Sequence, residues 1–102
     1  MIPSTFTILN HTIEVVFDND YCDKQGYHGC WQPADNRIVL ANRYKKNGKW
    51  VPYKHSIIYH TFYHELTHCI LFYMNKPELG ENEEFVDNFG GLLAQVILSA
   101  KE

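Results

Sequence analysis

With 102 residues, 45% of them hydrophobic and 15% aromatic, the chain can bury one core but not two, and it is too apolar to be disordered. A net charge of −3 argues against a nucleic-acid-binding surface, and the one cationic cluster (Lys45, Lys46, Lys49) reads as a solvated turn. Three cysteines without a hydrophobic N-terminal signal point to a reducing cytoplasm, and no apolar run approaches the roughly 20 residues of a membrane span.

The first forty residues read as strands. "TFTIL" (5–9) and "TIEVVF" (12–17) are rich in β-branched and aromatic residues, with Asn10-His11 as a tight turn between them. "DNDYCDKQG" (18–26) is polar and reads as a loop. "YHGCWQ" (27–32) and "RIVLA" (37–41) then flank "PADN", whose Pro, Asp and Asn favour a turn. Two antiparallel hairpins in one small sheet are expected. Residues 42–53, with Asn42, Asn47, Gly48 and Pro52, read as a connecting loop.

From Ser56 the pattern becomes helical. Residues 56–75 hold no Gly or Pro and stop before Pro77. Their apolar residues occupy nearly every face, which predicts a helix buried on most sides. After the break "NKPELGEN", a second helix is expected over 81–99. Phe85, Val86, Phe89, Leu92, Leu93, Val96 and Ile97 form its apolar arc, with Glu84, Asn88 and Gln95 facing away. The expected architecture is one α+β domain over residues 1–102, a small antiparallel sheet packed on two helices.

The first helix carries "HELTH", residues 64–68. At about 100° per residue, His64 and His68 project side by side one turn apart, so both imidazoles can reach one metal ion. Zinc accepts neutral imidazole well. Glu65 sits about a quarter-turn round, outside that ligand pair but within reach of a water on the open side, where it would act as general base. Two imidazoles and a carboxylate on a buried helix otherwise cost several kcal/mol unless they are paired or coordinated.

The second helix offers the missing ligand. Glu83, Asp87, Gly90 and Ala94 form one strip at the edge of its apolar arc. Glu83 is the expected third ligand, and Asp87, one turn on, would accept the outer N–H of a ligand histidine and fix its tautomer. Gly90, Gly91 and Ala94 have little or no side chain and would let the two helices lie close together. An acidic first turn favoured by the helix dipole accounts for acidic residues there, but not for their spacing ahead of small residues. Glu84 points about 100° away, toward solvent, and His60 lies too far along its helix to join His64 and His68 on one ion.

"HELTH" with "EEFVDNFGG" (83–91) resembles the gluzincin type of zincin metallopeptidase. More closely, the chain resembles compact members of the ImmA/IrrE-type family, many of them encoded by phages and mobile elements. Those proteins pair a His-Glu-x-x-His helix with a Glu-x-x-Ala-(Asn/Asp)-x-Phe-Ala helix; this chain has Val86 and Gly90 where alanines are usual. The resemblance implies a zincin-like minidomain with one Zn2+ on His64, His68 and Glu83. It also implies Glu65 as the catalytic glutamate, Asp87 as the residue orienting a ligand histidine, and proteolysis of a repressor or other regulatory protein in a bacterial cytoplasm. In zincins an edge strand above the active helix pairs with an extended substrate, and residues 37–41 are the candidate for that edge.

Cys22, His28 and Cys30 match no zinc spacing; Cys30 reads as a strand residue, Cys22 as a loop thiol and Cys69 as a small core residue. Tyr59, Tyr63 and Tyr73 read as packing residues with polar tips, and Tyr27, His28 or His60 is the candidate for steadying an oxyanion. The expected partner is a protein or peptide substrate, with no nucleic acid and no membrane. The alternative is a phage protein that uses zinc for stability alone and acts by binding a host factor.

Overall fold

The computed structural model describes residues 2–102. Strands β1 (Thr5–Ile8) and β2 (His11–Phe17) form the first antiparallel hairpin, with Leu9 and Asn10 turning the chain at φ 46° and 66°. Strands β3 (Gly29–Gln32) and β4 (Arg37–Leu40) form the second, around a single 3-10 turn at Pro33–Asp35. Both expected hairpins are therefore present. They join through parallel pairing of β2 with β4, so the sheet is mixed, in the order β1-β2-β4-β3, and not wholly antiparallel as expected.

That order corrects the expected edge. Residues 37–41 lie on a central strand, and the edges are β1 and, on the side next to α2's histidines, β3. Ile38, Val39, Leu40 and Ala41 are all buried, so this stretch needs cover on both faces and both flanks, whereas β3 is only half-buried throughout.

Two stretches expected as loops are ordered. Residues 19–25 form helix α1, which starts where Asp18 accepts a hydrogen bond from the Tyr21 amide and ends at Gly26, φ 72°. Cys22 is thus a fully buried helix residue and not a loop thiol. Residues 43–52 form a second two-stranded sheet, β5 (Arg43–Lys46) and β6 (Lys49–Pro52), turned at Asn47-Gly48 with φ 53° and 76°. Positive φ at both central positions is what Asn-Gly supplies most readily in a hairpin.

Helix α2 (His55–Tyr73) lies across one face of the main sheet. Ile13, Val15, Ile38 and Leu40 from the sheet meet Phe62 and Cys69 from α2 in the larger core. The other face is covered by α1, through Cys22 against Val39 and Ala41. A short turn, α3 (Pro77–Gly80), leads into α4 (Glu83–Ser99), whose first turn is capped by the Asn82 side chain. The α+β class is as expected. Among the described residues, no helix is long and apolar enough to cross a membrane.

The helix faces differ from expectation in two ways. Helix α2 is covered by the sheet and by α4, but Ile57 near its start and Phe72 near its end remain exposed. On α4 the buried positions are Val86, Gly90 and Ala94, while Phe89, Leu92 and Val96 are 48%, 63% and 63% exposed. Packing of α4 is governed by the small-residue strip and not by the large apolar arc. A Cβ on Gly90 would sit 3.0 Å from the His64 Cα, so the backbones meet where side chains are absent.

Candidate metal site

The regular turn of α2 sets the His64 and His68 rings edge to face, with centroids 5.1 Å apart. Both side chains are less than one-fifth exposed, so their nitrogens require partners. Glu83, the first residue of α4, supplies them: its Oε2 lies 3.1 Å from His64 Nε2 and its Oε1 lies 3.0 Å from His68 Nε2. One donor atom from each of the three residues falls within 4.8 Å of the others. Around a tetrahedral ion with bonds of about 2.0–2.1 Å, ligand atoms stand about 3.3 Å apart, so two imidazoles and this carboxylate fit one divalent cation. The group could hold a metal ion. Glu84, next along the helix, is exposed and outside it.

Asp87 lies one turn beyond Glu83. Its Oδ1 is 3.3 Å from His64 Nδ1, placed to accept the Nδ1 proton and so favour the tautomer that would present Nε2 to an ion. The same oxygen is 3.3 Å from His60 Nε2. The His60 hydrogen bond, aided by His64, keeps the Asp87 carboxyl below its usual range. Burial lowers the pKa of His68 and favours the neutral imidazole that a metal needs. His60 thus lines the site and is tied to it through Asp87, outside the group that could hold the ion.

Glu65 is buried beside this group, with Oε2 4.0 Å from His64 Nε2. Burial pushes its carboxyl up to about 7; His64 and a hydrogen bond from the Trp31 main chain oppose the shift, and Glu83 adds to it. It faces a cleft shared with His64 and Asp87 and walled by Tyr27, His28, Gly29, His60 and Thr61. All three candidates for steadying an oxyanion border this one depression. A second depression, with Trp31, Phe72 and Pro77 in its wall, lies on the His68 side.

The placement of β3 beside α2 was not foreseen from the sequence. Gly29 carries the sign of it: a Cβ there would meet the Val39 carbonyl oxygen at 2.8 Å and Thr61 Cγ2 at 2.9 Å. A glycine inside a strand pattern marks such a close approach. Among the described residues, His64, His68 and Glu83 form the one group with metal-ligand geometry; Cys22, His28 and Cys30 form none. Cys30 is a strand residue and Cys69 is fully buried in the main core, as expected. The Tyr73 hydroxyl donates to Asn36 Oδ1, a packed ring with a satisfied polar tip.

Comparison with known protein families, with curated proteins and with solved structures finds no match for this chain.

Proposed function

We propose that the chain is a compact zinc peptidase of the zincin type, related in design to the ImmA/IrrE-like enzymes and acting on a protein or peptide substrate such as a regulatory protein. The observation that carries this reading is the convergence of His64 Nε2 and His68 Nε2 on the two oxygens of Glu83, 3.1 and 3.0 Å away, with Glu65 buried alongside. Two nitrogens and one carboxylate are the donor set of gluzincin-type catalytic zinc sites, which keep a further position open.

A zinc ion held by these three residues supplies a Lewis acid that polarises a carbonyl and acidifies water. The remaining chemistry falls to the chain. Glu65, buried beside the two histidines, can take a proton from the attacking water and return it to the leaving amine. Asp87 holds His64 in the tautomer that presents Nε2. Edge strand β3, whose outer side borders the site, offers main-chain groups to an extended peptide and so replaces residues 37–41 in that role.

The test is metal content and peptide hydrolysis, measured on the purified protein and on Glu65→Gln. The expected result is about one zinc per chain in both, with hydrolysis of a casein-derived peptide mixture in the wild type alone. Zinc far below one per chain, unchanged in His64→Ala, would sink the metal claim. A biological effect that survives Glu65→Gln would favour the non-catalytic binding protein.

A further inference from the structure

Charge is segregated along this chain. Residues 36–64 hold six of the nine lysines and arginines and none of the twelve acidic residues, in a chain whose net charge is −3. Four of the six, Arg43, Lys45, Lys46 and Lys49, stand on the β5–β6 hairpin, and Lys54 follows it directly. Among the described residues, the one lysine or arginine in an ion pair is Arg37, with Glu14 at 3.9 Å, so the hairpin carries its cations without carboxylate partners. Their arrangement works against the hairpin's own stability. Lys46 and Lys49 are directly opposite each other at the turn, a like-charge pair that weakens a two-stranded sheet. Strand alternation puts Arg43, Lys45, Trp50 and Pro52 on one exposed face, where Lys45 lies over the Trp50 ring, 5.1 Å from its centroid.

The hairpin is also fixed relative to the cleft at Glu65. Asn19 Oδ1 accepts the amides of Asn42 and Arg43 at 2.9 and 3.2 Å, and Tyr53 meets His28 edge to face at 5.1 Å. The cleft continues past Tyr27 and His28 into an adjoining depression whose far wall is Arg43, Tyr44 and Tyr53. Asp23 is the one acidic residue in that wall. An extended chain lying along β3 therefore leaves the cleft, on the Gly29 side, toward Arg43 and Lys45.

We propose that the β5–β6 hairpin is a docking surface for an acidic segment of the polypeptide substrate, next to the segment that enters the cleft. The surface itself stands on charge and geometry; its service to the cleft rests on the peptidase reading above. Carboxylates of the partner would lie between Lys46 and Lys49, relieving their repulsion, and along Arg43 and Lys45. A polypeptide fits this surface better than a nucleic acid or a membrane does. Each strand is four residues long, about 13 Å, and α1 beside it brings Asp18, Asp20 and Asp23, which repel a long or flat polyanion.

The experiment is fluorescence anisotropy on the full chain as Glu65→Gln, which leaves peptides intact. The probes are a labelled peptide of alternating glutamate and alanine, its glutamine–alanine counterpart, an oligothymidylate of the same length, and phosphatidylserine vesicles. The glutamate peptide should bind with a dissociation constant in the micromolar range, at least about tenfold tighter than the glutamine peptide, and should weaken as salt rises. Adding Lys45→Glu/Lys46→Glu should weaken it at least about tenfold, with circular dichroism and metal content unchanged. Lys46→Glu turns the like-charge pair with Lys49 into an opposite one, so the hairpin itself is not weakened. Lys76→Glu/Lys101→Glu, the same change in net charge away from the hairpin, should bind as the parent does. Equal binding of the two peptides overturns the proposal. So does an equal loss in the two lysine variants, or tighter binding of the oligothymidylate or the vesicles than of the glutamate peptide. In the active wild type, Lys45→Glu/Lys46→Glu should raise KM for a glutamate-rich substrate and leave kcat in place; the opposite split overturns the link to the cleft. A chain that binds the glutamate peptide through the hairpin yet hydrolyses no peptide sinks the peptidase reading and leaves the docking surface standing.

Discussion

Gly90 lies directly against the backbone of His64: a β-carbon at position 90 would stand 3.0 Å from the His64 Cα and 3.1 Å from its nitrogen. This contact brings the start of α4 close enough for Glu83 and Asp87 to reach the histidines of α2. Gly90→Val should push the helices apart, weaken metal affinity by about tenfold or more and cost about 1–3 kcal/mol of stability, because the neighbour is backbone and cannot rotate away. Competition with a chromophoric chelator and thermal denaturation measure the two effects. Unchanged affinity would show that the approach of the helices does not set the site.

Asp87 and His60 should separate cleanly. Asp87→Asn keeps the shape but removes the charge that accepts the His64 Nδ1 proton, so metal affinity should fall about 10- to 100-fold. His60→Ala leaves the His64–Asp87 contact in place and should cost much less. Titration of the metal-free protein with zinc gives both constants.

Glu65 sets a pH dependence whose sign is fixed. Its folded pKa, about 7, is above the ordinary 4.5, so the folded metal-free protein holds this proton more tightly than the unfolded chain. Stability contributed by the protonated carboxyl is therefore lost as pH rises from about 4.5 to about 7. Glu65→Gln cannot lose that proton. The melting temperature of metal-free Glu65→Gln, relative to metal-free wild type, should climb across this window and level off above it. A constant difference from pH 4 to 8 would contradict the burial of a neutral acid.

Val86 and Leu98 stand on the same helix with opposite prospects. Val86 is fully buried, and Val86→Ala should cost about 1–3 kcal/mol through lost contacts and the cavity left behind. Leu98, half-exposed, should tolerate alanine within about 0.5 kcal/mol. Chemical denaturation of the two variants measures both.

The α+β class and the grouping of His64, His68 and Glu83 were legible in the sequence; the strand order and the cover of α4 were not. Spacing alone put His64 beside His68, and the small-residue strip told which face of α4 would meet them, because close helix approach needs missing side chains. The apolar arc on α4 misled because periodicity shows that a helix has an apolar side but not what covers it. Strand β4 was misplaced at the edge for a related reason: its run of buried apolar residues signals a central strand only once its parallel neighbour, β2, is known. The β5–β6 hairpin does not stand out although Asn47-Gly48 is a strong local turn signal, because β5 is mostly charged and the two short strands lack the apolar alternation of a half-buried sheet. Helix α1 is too short for periodicity and is marked only by its ends, Asp18 and Gly26.

Helix α4 rests chiefly on α2 and otherwise touches little beyond α3. It is held there by the buried strip of Val86, Gly90 and Ala94, by the connection through residues 74–82 and by Glu83 at the two histidines. Taking the ion away would loosen the hold at Glu83 without disturbing the sheet, so α4 should open as a unit of its own while the strands stay closed. Amide hydrogen exchange along α4, slow with metal and fast after chelation, would then serve as an occupancy gauge that needs no substrate.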